Sequence, residues 1–121
     1  VTTRELFESH IPLLRPWLGD EEIEAVSDVI RSGWISQGPR VIEFENAVAA
    51  YVEAQYAVAT NSCTSALHLS LHLSGVRSED EVICPSFTCM STANAIHHAG
   101  GIPVFVEIDP RTYNLDPIAV D

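Results

Sequence analysis

The 121-residue chain contains no lysine, and its six basic residues are all arginine. Chemistry that needs a side-chain amine as nucleophile or proton carrier has no donor here, because arginine stays protonated and is not nucleophilic. Positive charge is scarce altogether: 17 acidic residues bring the net charge to −11. A surface of that sign is repelled by phosphate backbones, which argues against general nucleic-acid binding. No apolar run is long enough for a membrane-spanning helix, and VTTRELFESH lacks a signal peptide's basic start and apolar centre. The expectation is a soluble, cytoplasmic protein. The three cysteines, Cys63, Cys84 and Cys89, follow no zinc spacing and are odd in number. They are expected to be free thiols serving as small buried residues. His68 and His72 stand i, i+4 without a third ligand in view, so no metal site is expected. The glycine patterns of dinucleotide and ATP loops are also missing.

What is present reads as one modest α/β domain. Residues 1–18, broken by Pro12 and Pro16, suggest an arm. Asp20 is placed as the cap of a helix running to about Arg31, with Ile23, Val26, Val29 and Ile30 as its apolar stripe and Gly33 as its stop. The loop from Gly33 to Pro39 carries Trp34 and Ile35, which either pack on the body or line a site. A second helix is expected from about Arg40 to Glu53, burying Val41, Phe44, Val48, Tyr51 and Val52 and turning Glu43, Glu45 and Asn46 outward. The pattern then alternates: strands at 56–60, 81–84 and 102–108, helices at 62–74 and 91–99. Continuous apolar strands between helices predict a mainly parallel or mixed sheet flanked by helices. Three strands leave exposed edges, so by its architecture the domain over 19–121 is expected to be incomplete.

Two turns carry the chemistry. In Asn61-Ser62-Cys63-Thr64-Ser65 a strand would run into a helix start crowded with hydroxyls. The first turn of a helix leaves N–H groups unpaired, and its dipole favours an anion, so the turn is a candidate phosphate cup. Capping by Asn61 or Ser62 alone would also account for part of it. The second turn, Pro85 to Ser91, follows the next strand and should share a crevice with the first. Phe87 there is either a ring-stacking residue or a core residue under the loop.

The order of these segments resembles the DegT/StrS-type family of sugar aminotransferases. Four runs carry the likeness: Ser32 to Pro39, Asn61 to Leu69, Pro85 to Thr88 with Thr92 to Ile96, and Gly101 to Asp109. The resemblance implies the aspartate-aminotransferase fold (fold type I), with this chain as the N-terminal part of the large domain. It further implies pyridoxal 5′-phosphate as cofactor, held at Cys63, Thr64 and Ser65. The family's ring-stacking aromatic position falls on Cys89. Trp34 and Gln37 would lie on the substrate side. The implied reaction is ping-pong amino transfer from an amino-acid donor such as glutamate to a nucleotide-linked keto sugar, in a homodimer when intact. The Schiff-base lysine that such chemistry needs is not in this chain, so no catalytic residue is assigned. A non-catalytic module for pyridoxal phosphate or a sugar phosphate, a vestigial protein, and part of a sugar dehydratase are the alternatives.

Overall fold

The computed structural model describes residues 13–120. The expected arm at 1–18 lies mostly outside the described residues, and residues 14–19 belong to no helix or strand. The chain divides into two compact units, Val1–Glu53 and Ala54–Asp121.

Among the described residues the first unit holds two helices, each begun by a glycine. Helix α1 spans Asp20–Ser32. Its cap is Gly19 and not Asp20: the Glu22 carboxylate reaches back to accept the Gly19 N–H at 2.7 Å, which starts the helix one residue early. Asp20, Glu21 and Glu22 then sit at the positive end of the dipole, with Arg31 in the last turn. Gly33 closes the helix at φ 77°, a left-handed conformation that glycine adopts without a Cβ penalty. Helix α2 spans Pro39–Tyr51, with Gly38 as cap and Pro39 in the first turn, where the missing N–H costs nothing. The expected buried face of α2 is corrected. Only Ala49 is buried, Val41 and Val48 are half-buried, and Phe44, Tyr51 and Val52 are exposed. Spacing decides which residues share a helix face, but only a packed neighbour buries them. The stripe of α1 behaves likewise, with Ile23, Val26 and Ile30 exposed.

The second unit is built on a βαβ crossover. Helix α3 spans Cys63–Leu73, β1 Glu81–Pro85, α4 Met90–His98 and β2 Ile102–Val106. The two strands pair in parallel from Glu81↔Ile102 to Pro85↔Val106. Backbone bonds extend the ladder at both ends, Ile102 N to Asp80 O at 2.8 Å and Ser86 N to Val106 O at 2.9 Å. Helix α4 lies on the sheet, and Ala95, Ile96 and the β1 residue Cys84 form the buried centre. Gly101 lets the chain pass from α4 into β2 in close contact, since a Cβ there would stand 3.2 Å from Asp80 O, Ile96 Cγ2 and Val76 Cγ1. Helix α3 packs on α4, and the rings of His68 and His98 are 6.0 Å apart across that contact.

The expected strand at 56–60 is not a strand, and Tyr56 and Val58 are exposed. A strand exists only through a hydrogen-bonded neighbour, and the sheet among the described residues is β1 with β2 alone. The last strand likewise stops at Val106. Ile108 instead makes an antiparallel bridge to Leu115 around a turn closed by Tyr113 N to Asp109 O at 2.8 Å.

Candidate functional site

At the start of α3 the sequence places hydroxyls faster than the helix can use them. Ser62 is the cap, and its Oγ accepts the Ser65 N–H at 3.1 Å. The Ser65 hydroxyl donates to Asn61 Oδ1 at 3.0 Å and lies 2.9 Å from Ser62 Oγ. Thr60 Oγ1 donates to Ser62 O at 2.9 Å, holding the approach to the helix. Ser65 is therefore committed to the cap through both its N–H and its hydroxyl. The N–H groups of Cys63 and Thr64 are the first two of the helix, for which no carbonyl lies a turn earlier. Thr64 is half-buried beside them, and its hydroxyl has no protein partner among the described residues. Two aligned N–H groups, a hydroxyl and a positive helix end fit a phosphate.

The other predicted turn lies at the carboxyl end of β1. Cys89 is the cap residue of α4 and is exposed. Its thiol forms no regular helix-cap bond, but the hydroxyl and backbone N–H of Ser91 hold it below the usual thiol range. Cys84 goes the other way, pushed up by burial. Of the three cysteines only Cys84 is buried, which corrects the expectation that all serve as small core residues. Polar neighbours at helix starts leave Cys63 and Cys89 at the surface. Phe87 is 68% exposed and is not a core residue; its ring sits 5.8 Å from that of Tyr113. The expected shared edge for 61–65 and 85–91 rested on a strand at 56–60. In its absence the packing of α3 on α4 is what relates the two turns.

In the first unit Trp34 lines an open cleft of about 510 Å³ between the end of α1 and the start of α2. Gln37 is not among its lining residues. The loop is pinned because Ser32 Oγ donates to Val29 O at 2.8 Å and accepts the Trp34 N–H at 3.2 Å. Gly38 lies under the indole, where a Cβ would be 3.1 Å from Trp34 Cε3. Asp28, Arg40 and Glu43 also line the cleft and were missed by sequence reasoning. Each sits on an exposed helix position and reads as an ordinary solvated charge; the signal available was a tryptophan in the short loop joining two helices.

Comparison with known proteins gives one consistent answer. The DegT/DnrJ/EryC1/StrS aminotransferase family matches residues 16–121. The spore coat polysaccharide biosynthesis protein SpsC of Bacillus subtilis is 48% identical over 111 residues, 92% of this chain and 28% of that protein. The UDP-4-amino-4-deoxy-L-arabinose–oxoglutarate aminotransferase of Shewanella sediminis is 46% identical over 111 residues, covering 92% of this chain and 29% of its own. Among solved structures, Spr1654 of Streptococcus pneumoniae in its PLP form superposes with a TM-score of 0.80 at 37% identity, over 91% of this chain and 28% of that one. The chain thus spans a little over a quarter of the length of the relatives it matches.

Proposed function

Because the chain belongs to the DegT/DnrJ/EryC1/StrS aminotransferase family, we propose that its α3 start holds the phosphate of pyridoxal phosphate within a sugar aminotransferase. The observation that carries this is the pair of N–H groups at Cys63 and Thr64 beside the Thr64 hydroxyl, which has no protein partner among the described residues. Ser65 joins only by exchanging its Asn61 bond for a phosphate oxygen. Cys89, at the start of α4, is assigned to the cofactor ring, and Trp34 and Gln37 to the substrate side. Residues 1–18 would be an arm and 19–121 part of the large, cofactor-binding domain of fold type I.

The bound cofactor supplies an electron sink on which an amino group passes from an amino-acid donor to a keto sugar. The residues of this chain bind and orient it. A helix start stabilises the dianion without a cation, which suits a chain of net charge −11. Cys63 and Thr64 would hold the phosphate end of the cofactor and so orient it. No lysine is present in these 121 residues to carry the proton of amino transfer, so this chain's residues are assigned binding and orienting roles only. The name of the UDP-4-amino-4-deoxy-L-arabinose aminotransferase supports a nucleotide-linked sugar as substrate, and that of SpsC supports a role in polysaccharide biosynthesis. A cytoplasmic homodimer is the expected working form. The absence of lysine favours a second reading for the chain by itself, a module that holds the phosphate without turnover.

The test is an amide NMR titration of the chain with pyridoxal phosphate. The Cys63 and Thr64 resonances should shift saturably, inorganic phosphate should reverse the shift, and Thr64→Val should weaken binding roughly tenfold or more through loss of a charged hydrogen bond. Unshifted resonances at both residues, or an unchanged affinity in Thr64→Val, would overturn the assignment.

A further inference from the structure

We propose that His68 and His98 form a two-imidazole site for a divalent transition-metal ion of the zinc class, which clips α3 to α4. The site is separate from the phosphate cup and does not depend on it. Spacing along the sequence pairs His68 with His72, one helical turn on, but the fold pairs it with His98. The two rings meet across the packing of α3 on α4, with centroids 6.0 Å apart and planes tilted by 45°. Both residues are exposed, so burial does not account for the pairing. Neither ring has a hydrogen bond or an ion pair among the described residues, which leaves its nitrogens open to a ligand.

Distance and charge select the ligand. Zinc binds imidazole nitrogen at about 2.0–2.1 Å, and each nitrogen lies roughly 1.2 Å from its ring centre. Two imidazoles on one ion therefore have centres roughly 5 to 6.5 Å apart, from a tetrahedral to a linear angle. The observed separation falls inside that range. Imidazole suits zinc, copper and nickel, whereas magnesium and calcium require oxygen. A net charge of −11 draws cations to the surface. His98 also lies in the last turn of α4, where the negative end of the helix dipole favours a positive ion. No group of three His, Cys, Asp or Glu residues among those described is arranged to hold a metal, so water would complete the coordination. His97 follows a different direction from α4, turned about 100° from His98, and its ring contact is with His98 alone.

The experiment titrates the chain with zinc chloride, in the absence of pyridoxal phosphate, and follows the imidazole resonances by NMR. Those of His68 and His98 should shift together and saturate at one ion per chain, while magnesium leaves them unmoved. His68→Asn and His98→Asn should each abolish saturation, and both positions are exposed, so the fold is retained. His72→Asn and His97→Asn should leave it intact. Hydrogen exchange reads the clip itself: zinc should raise protection over 63–73 and 90–98 together. Zinc binding that survives either His68→Asn or His98→Asn would overturn the proposal. So would binding that disappears once the exposed thiols of Cys63 and Cys89 are alkylated, which would place the ion on sulfur. Protection gained in one helix alone would overturn the clip. None of these outcomes touches the phosphate assignment, which is read at the Cys63 and Thr64 amides without zinc.

Discussion

Cys89 and Cys84 show how far two thiols five residues apart can diverge. Ser91 offers Cys89 a hydroxyl and an N–H, which favour the thiolate, while burial at Cys84 favours the neutral form. Iodoacetamide should modify Cys89 first, with a rate that levels off at a lower pH than for a free cysteine. Ser91→Ala should move that profile upward, and mass spectrometry of the labelled peptides reads both. Cys84 should react only on unfolding. Asp109 is a second perturbed group: Arg111, through its guanidinium and then its backbone N–H, holds the carboxyl below its usual range. A depressed carboxylate stabilises the fold above its unfolded pKa, and the contribution is lost as pH falls through the folded value. Asp109→Asn should therefore flatten the acid limb of stability measured by circular dichroism, with its full effect above the ordinary carboxylate pKa and less as the pH falls.

At the scale of elements, helix ends were the most legible features, because glycine, proline and serine act locally. Ser62→Ala should cost roughly 1 kcal/mol and speed hydrogen exchange in the first turn of α3, since the Ser65 N–H loses its acceptor. Glu79 tests the turn before β1. It sits at φ 72°, which penalises a side chain by about 1–2 kcal/mol. Glu79→Gly should raise the thermal midpoint, and a lowered midpoint would show that the side chain is making an interaction worth more than the strain. Strands were less legible for a physical reason. Residues 56–60 and 82–84 are both largely apolar, yet among the described residues only the latter belong to a sheet, and membership is a property of the sheet, not of the segment. The cofactor turn was legible from its run of hydroxyls and small residues. The Trp34 cleft was legible only in part, because Asp28 and Glu43 take their meaning from lying across a loop from each other.

For the whole molecule, a very small centre carries the organisation. Ala95, Ile96 and Cys84 are almost wholly buried in the second unit, whereas apolar residues such as Phe44, Tyr51, Leu73 and Phe105 remain exposed. Area-based stabilisation is concentrated where α4 meets β1 and β2. Removing three carbons from Ile96, which is 2% exposed, leaves a void that Gly101 and Val76 cannot fill without moving the β2 backbone. Ile96→Ala should therefore cost about 2–5 kcal/mol, comparable to the whole stability margin of a small domain. Phe44→Ala, at a residue 61% exposed, should stay within about 0.5 kcal/mol despite deleting a larger side chain. Hydrogen exchange distinguishes the two: Ile96→Ala should remove protection from 81–85 and 102–106 together while leaving 39–51 as before. If protection in 39–51 falls in parallel, the two units share one cooperative transition, and the centre at Ile96 holds more of the chain than its own unit.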